Sequence, residues 1–480
     1  MRKTKEGLVS FSSFCRLRPQ RFGLVLTSFL QKPGLVFAEV LSEQKIQAAF
    51  DDDGACFAQE PHDVYTPPVT LWAFLSQVIS KGEMRSCAAA VARVAVLMAA
   101  LSKEICDNTG AYCRARAKLP EAVLERLACD VAAGCERAAP AEWLWLRHHV
   151  HLVDGTTLSA PDTEANQEEW PQHGAQKHGL GFPIIRLVVL LSLTTAMLEA
   201  ARLGRYMGKE TGETALLREL LDQLPAGDIL LADRYYCSYF MIALLLERRV
   251  DFVVRLHQQR TADFRRGRRL GKGDHIVRWT RPPKPDWMDQ ATYERMPKSI
   301  ELREVEATIE LPGFRGDSLV VVTTLSDAAT YSREALADLY RRRWQAELDI
   351  RTIKITMGMD VLRCQSPEMV RKEIWTCLLA YNLIRQTMLE SAAASDRTPR
   401  ELSFTAALQK IAAGWLAVLL LNTEQFSLLL ETHRTNLAAH RVGHRPNRVE
   451  PRAIKRRPKS HKLLTEPRDQ ARSRLLASKP

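Results

Sequence analysis

From Val69 to about Pro140, apolar residues recur at helical spacing. Trp72, Phe74, Leu75, Val78 and Ile79 share one stripe and Ala88 to Leu101 is rich in Ala and Val, which predicts a helical domain. At Trp143 the pattern changes. His149-Val150-His151-Leu152-Val153 alternates polar and apolar positions like a strand, and the turn signal Asp154-Gly155-Thr156 predicts that the strand stops there. Ile184 to Leu193 and Thr195 to Leu203 read as strands, Thr211 to Leu224 as a helix, and Asp228 to Ala232 as a buried strand ending at Asp233. A helix over Tyr239 to Arg249 and a strand over Asp251 to Leu256 follow. Strands separated by helices predict an α/β sheet layered by helices. Residues 257–325 break the rhythm with a basic loop (Arg265, Arg266, Arg268, Arg269, Lys272), the Pro-rich Pro282 to Pro297, and strands at Leu302 to Ile309 and Leu319 to Thr324. This reads as a β-rich insertion. Long helices return at Arg333 to about Thr356 and at Glu368 to Ala392.

These patterns divide the chain into an unassigned extension (1–68), a helical domain (69–142), an α/β domain (143–400) with its β-rich insertion at about 257–325, a helical segment (401–440) and a basic tail (441–480). At 480 residues and 46% hydrophobic, the chain can bury several cores, which excludes global disorder. The formal charge of +12 points to a polyanionic partner, either nucleic acid or an anionic membrane surface. It is unevenly placed. Residues 441–480 hold thirteen Lys and Arg against three acids, a net +10, so a tail expected to stay flexible until it meets DNA follows a nearly neutral body. The apolar runs Leu187 to Ala201 and Trp415 to Leu421 are interrupted or short of the roughly 20 residues a spanning helix needs, and Met1 to Gln31 has no continuous apolar signal core. The ten cysteines lack zinc spacing, so buried, reduced thiols in a cytoplasmic protein are expected.

Three carboxylates stand out by placement. Asp154 and Asp233 follow strands, where open α/β sheets bind ligands, and Glu347 lies on a long helix. Carboxylates that converge repel one another unless a cation neutralises them, and hard Mg²⁺ or Mn²⁺ suits oxygen ligands. A pair of such ions can activate a hydroxyl and stabilise a leaving oxygen at phosphorus. Each acid also has a plainer role, Asp154 in a turn and Asp233 as a helix cap. On an ideal helix with Tyr340 at zero, Arg343, Glu347 and Lys354 fall at about 300°, 340° and 320°, one polar stripe. On charge alone, ordinary intrahelical ion pairing, which Arg341, Arg342, Arg351 and Glu347 also fit, is the favoured explanation of that stripe. Arg114, Arg116 and Lys118 after Tyr112 mark either a DNA-facing edge or a solvated face. His148, His149, His151, His173 and His178 are expected to be hydrogen-bonded polar residues rather than metal ligands.

Val153-Asp154-Gly155-Thr156-Thr157, Pro161 to Gln167 and Gly179-Leu180-Gly181-Phe182-Pro183 resemble the first-aspartate region of bacterial DDE transposases of the insertion-sequence-four family. Leu230-Leu231-Ala232-Asp233-Arg234-Tyr235-Tyr236 resembles their second-aspartate block, and Tyr340, Arg343, Glu347 and Lys354 match the spacing of their Tyr-Arg-Glu-Lys signature. The resemblance covers about residues 143–392. It implies a ribonuclease H-like catalytic core interrupted by a β-strand insertion, in which Asp154, Asp233 and Glu347 bind two Mg²⁺ or Mn²⁺ ions and Tyr340, Arg343 and Lys354 hold DNA phosphates. It further implies cleavage at terminal inverted repeats, transfer of 3′-hydroxyl ends into target DNA, and a homodimer in synapsis. Where such enzymes cut through a DNA hairpin, a Trp of the insertion stacks on a flipped base, which makes Trp279 and Trp287 candidates. A stand-alone metal-dependent nuclease and a non-catalytic DNA-binding relic are the competing readings.

Overall fold

The computed structural model describes residues 21–37, 39–60, 62–103, 105–308, 318–442 and 466–477. The start of the 1–68 extension, the end of the strand expected at Leu302 to Ile309, and most of the basic tail lie outside the described residues. Contacts divide the chain into two units, one comprising the described residues of Met1–Ala139, Thr352–Met359 and Arg371–Val442, the other those of Pro140–Arg351, Asp360–Val370 and Gly443–Pro480.

The first unit is helical. Pro67–Val78 and Cys87–Ala100 are apolar almost all round and pack on each other, and Glu121–Ala138 and most of the long helix Pro367–Ala393 belong to the same unit. Long-range polar contacts tie sequence-distant parts together. The Glu390 carboxylate accepts from the Phe37 amide (2.6 Å), Asn382 donates to the Ala128 carbonyl (2.8 Å), and Arg85 forms a buried ion pair with Glu373 (3.0 Å). The described helical residues before 140 and from 371 to 442 thus form a single unit. Among the described residues, no helix is long and apolar enough to cross a membrane.

The second unit is built on one sheet. Among the described residues its strands are β1 (Val150–Ser159), β2 (Ile184–Ser192), β3 (Leu198–Arg205), β4 (Ile229–Ala232), β5 (Asp251–Arg255), β6 (Arg268–Gly271), β7 (Asp274–Thr280), β8 (Ser299–Thr308) and β9 (Ser318–Thr323). They lie in the order β3-β2-β1-β4-β5-β9-β8-β7-β6. β1, β4 and β5 are parallel and every other neighbouring pair is antiparallel. The central strands β2 and β4 are apolar along nearly their whole length because helices and loops cover both faces there, so the two-residue alternation of a half-exposed strand is missing. The fold class is therefore mixed α/β with one large sheet. β6 to β9 continue the edge of this sheet beyond β5.

The turn expected at Asp154-Gly155 does not form. β1 runs through both residues to Ser159 and pairs with β2 along its length, Asp154 opposite Val189 and Thr157 opposite Arg186. β-branched Thr156 and Thr157 favour the extended chain, and Gly155 serves close approach: a Cβ there would lie 2.3 Å from Cδ of Glu213.

Candidate active site

The parallel ladders of β1, β4 and β5 set one row of charges. Leu152 pairs with Leu231 and Leu231 with Val253, so two residues further along each strand, on the same face, stand Asp154, Asp233 and Arg255. The strand that continues past Asp154 therefore does not remove it from this end of the β1–β4–β5 trio. The β1–β4 ladder ends at Leu152, which opens the sheet beside it.

The third acid comes from the helical stretch after β9, which is less regular than an ideal helix. Residues Arg333–Arg342 and Trp344–Arg351 are α-helical, the chain tightens between them where the Ala346 amide donates to the Arg343 carbonyl (3.0 Å), and Thr352–Thr356 is π-helical. The uniform angular stripe through Lys354 therefore breaks down: a wider π turn advances each residue by less than 100°. Lys354 sits on that π turn, whose contacts place it in the helical unit, where Arg85 donates to the carbonyls of Met357 and Gly358. Tyr340, Arg343 and Glu347 remain in the unit that carries the two aspartates.

Each acid is engaged by a protein donor. Oδ1 of Asp154 accepts from the Gly155 amide (2.8 Å), Oδ1 of Asp233 from the Arg234 amide (2.7 Å), and Oε1 of Glu347 from Nη2 of Arg343 (2.8 Å). The i,i+4 ion pair anticipated as the plainer explanation of the stripe is thus present. Among the described residues, no three His, Cys, Asp or Glu side chains converge closely enough to hold one ion. The electrostatics still couple the group. Burial pushes the Asp154 carboxyl up to about 6; the Gly155 amide and Arg343 act to lower it, and Glu213 and Glu347 raise it further. For Arg343, burial disfavours the charge, but the hydrogen bond to Glu347 and the proximity of Tyr340 and Asp233 outweigh it and hold the guanidinium above its usual range. Tyr340 is buried, its phenol pushed up to about 12 by burial, and it hydrogen-bonds Arg343. As donors for a metal, the acids offer only hard oxygen atoms, which fits Mg²⁺ or Mn²⁺ and not a thiophilic ion.

Sequence reasoning missed Arg255, Glu213, Tyr236 and Arg186. Arg255 was legible in principle, since it ends a strand parallel to those of the two aspartates. Glu213 opens the helix Glu213–Arg218 after β3, accepts from the Tyr236 hydroxyl (3.3 Å) and pairs with Arg186 (3.6 Å). Nothing local marks it; only the fold brings it over Gly155.

Of the histidines, His151 bridges Glu199 and Asp228, and His148 bonds the Tyr331 hydroxyl (2.8 Å). The described cysteines are free thiols. Arg116 lies over the Phe74 ring (4.9 Å) and donates to Gln77, so it is part of the helical core, whereas Arg114 and Lys118 are exposed.

Residues 145–383 match the family described as Transposase DDE domain. The Escherichia coli K-12 transposase InsG of insertion sequence element IS4 is 28% identical over 301 residues, which cover 62% of this chain and 64% of that protein. The Escherichia coli transposase of insertion sequence element IS421 is 26% identical over 268 residues, covering 49% of this chain and 64% of that relative. The chain thus spans just under two thirds of the length of these relatives. A piggyBac transposase synaptic complex with hairpin DNA, solved by cryo-electron microscopy, is 8% identical with a TM-score of 0.41 over 86% of this chain and 85% of that one, a likeness too weak to bear on the fold. Through residues 145–383 this chain belongs to the DDE transposase family, in the company of the bacterial insertion-sequence-four transposases.

Proposed function

We propose that the chain is a transposase that cuts DNA at the terminal inverted repeats of an insertion sequence and transfers the freed 3′-hydroxyl ends into target DNA, acting in the cytoplasm as a homodimer during synapsis. The observation that carries this reading is the row of Asp154 and Asp233 on neighbouring parallel strands, with Glu347 linked to it through Arg343, inside the matched domain. The order β3-β2-β1-β4-β5, antiparallel on one side of β1 and parallel on the other, supports a ribonuclease H-like core, with β6 to β9 as the insertion between the second Asp and the Glu.

In this reading Asp154, Asp233 and Glu347 hold two divalent ions, Mg²⁺ or Mn²⁺. Such ions supply Lewis-acid stabilisation of charge on phosphate oxygens and lower the pKa of a bound hydroxyl. The chain's own residues do the rest. Arg343, hydrogen-bonded to Glu347 and electrostatically coupled to Asp233, presents a permanent positive charge to a backbone phosphate. Tyr340, buried beneath it, positions Arg343 rather than meeting DNA itself. Lys354 offers a further point charge for the strand. Asp154, Asp233 and Glu347, each held by one hydrogen bond to a protein donor, are the residues that would hold the ions.

Asp154→Asn, Asp233→Asn and Glu347→Gln should each lower cleavage of end DNA by a factor of about 10³ or more, the scale on which electrostatic transition-state contacts act, while binding of uncut end DNA changes little. Full cleavage by Glu347→Gln would overturn the assignment. A strand-transfer assay with pre-cut ends separates a transposase from a nuclease, which would cut and never join.

A further inference from the structure

The helical unit holds a cavity of about 770 Å³ to which the cleavage chemistry gives no role. It lies between residues 57–65 and the helix Thr109–Ala117 with the loop before it. At three- and four-residue spacing, Ala111, Arg114, Ala115 and Lys118 turn one side of that helix and its C-cap toward the cavity, while Arg116 is held in the helical core. Arg114 and Lys118 are exposed, and neither forms an ion pair with a described residue. Asp63, an acid of the lining, is engaged by the Glu60 amide (3.0 Å). The Lys118 ammonium lies 5.9 Å over the Phe57 ring, so a cation and an aromatic face stand on one wall. Tyr65 lines the same cavity and is 9% exposed, and its hydroxyl has no hydrogen-bond partner among the described residues. Its ring packs against Tyr112 (centroids 5.7 Å apart) and its carbonyl accepts from the Thr70 hydroxyl (3.1 Å), which hold the side chain in place. Burial pushes the phenol up to about 12, so it stays a neutral O–H donor. A buried donor without a partner costs stability, and a guest that supplies the acceptor removes that cost.

These groups select a ligand. Two cations call for a phosphate, an aromatic face for a planar ring, and a phenol for a ring nitrogen or carbonyl. A nucleoside phosphate has all three. The volume suits a small-ligand pocket, yet a cube of that volume is only about 9 Å on edge, too narrow for a duplex whose major groove alone is about 12 Å wide. From DNA, only a nucleotide turned out of the stack fits. We propose that this cavity binds one nucleoside phosphate, presented by DNA as an unpaired nucleotide, with its phosphate on Arg114 and Lys118 and its base against Phe57 and the Tyr65 hydroxyl. Naming DNA as the source rests on the transposase reading, whereas the pocket's own chemistry is independent of Asp154, Asp233 and Glu347.

The test follows dAMP and dTMP binding to the full-length protein by saturation-transfer NMR. Inorganic phosphate, a fully paired duplex and the same duplex carrying one unpaired nucleotide serve as competitors. Both nucleotides should bind. Arg114→Ala combined with Lys118→Ala should weaken binding about tenfold or more, the scale of a lost charge-assisted contact. Tyr65→Phe, which keeps the ring, should change the ratio of dAMP to dTMP affinity without lowering the melting temperature. Ala111→Trp, on the exposed rim, should block binding and gives the answer if Tyr65→Phe disturbs the fold. The duplex with an unpaired nucleotide should displace dAMP about tenfold better than the paired one, because its base is already free. Equal displacement by the two duplexes would overturn DNA as the source. An absence of saturation transfer, binding that none of these variants changes, or displacement by inorganic phosphate as effective as by dAMP would overturn the nucleotide site itself. Glu347→Gln should bind dAMP like the parent, so a failure of the metal-site reading and a failure of this pocket are read separately.

Discussion

The imidazole of His151 lies between Glu199 (2.7 Å from Nδ1) and Asp228 (2.8 Å from Nε2), one ring joining β1 to β3 and to the residue immediately before β4. Burial alone would lower its pKa, but the two carboxylates outweigh it and raise it from 6.5 to about 10, so the folded protein holds a buried imidazolium. The sign follows from linkage. The folded-state pKa is the higher one, so the ion triad's stabilisation is complete below the unfolded value near 6.5, declines above it, and is lost as pH passes about 10. We expect the melting-temperature gap between the parent and His151→Gln to be widest near pH 6 and to shrink steadily toward pH 10. A gap that stays constant over that range would show that the ring is neutral in the fold. This triad lies on the same strand as Asp154, three residues before it, and braces the β1 and β4 backbones that carry both aspartates.

Trp279 and Trp287 illustrate how a strand and the loop after it assign different roles to the same side chain. On β7, Trp279 is buried in the core cluster, donates from Nε1 to Glu304 (3.1 Å) and is covered by the guanidinium of Arg260 at 3.9 Å. His275 completes this network by bonding the other Glu304 oxygen (3.0 Å). Such a ring is committed to the interior. Trp287, in the following segment, is only partly buried, packs edge-on to Phe240 and lies under Arg218 at 3.9 Å. An arginine side chain can swing away from an aromatic face more readily than a core can open, so Trp287 is the better candidate of the two for stacking on a flipped base. Trp279→Ala should destabilise the fold by about 3–5 kcal/mol, measured by denaturant melting. Trp287→Ala should cost less stability and instead reduce resolution of a hairpin intermediate in a cleavage assay; equal stability losses for both would contradict this division.

For the protein as a whole, charge is concentrated where the chain ends. Residues 441–480 carry +10 of the formal +12. The expectation of one flexible tail changes in part, because residues Arg468–Ala477 form a helix on the sheet unit, where Arg468 pairs with Asp162 and lies 4.2 Å over the Phe182 ring. The segment 443–465 lies outside the described residues. Ending the chain after residue 442 should lower general DNA affinity and flatten its dependence on salt, since each lost phosphate contact reduces the logarithmic slope by about 0.9. Arg468→Ala should leave most of that slope in place because the other cations of the tail remain. An unchanged salt slope in the truncated protein would remove the tail from the DNA contact.

Much of the candidate site was legible before any fold was known, because chemistry of this kind depends on residue type at fixed spacing. The strand preceding Asp233, the helix bearing Glu347 and the Tyr340–Arg343–Glu347 interval are local properties, written by apolar periodicity and by 3.6-residue geometry. Three features were not local. Asp-Gly at 154–155 carries the dipeptide signal of a turn, yet pairing with all of β2 outweighs that propensity and the glycine is used to admit a side chain. The π turn at Lys354 departs from the ideal helical projection, since its hydrogen bonding depends on packing around residues 352–359. Glu213 has no motif at all, and its place over Gly155 arises from the crossing of a short helix over the sheet. Residue types and spacings therefore specify which groups are available for catalysis, whereas long-range strand pairing and packing specify which of them meet.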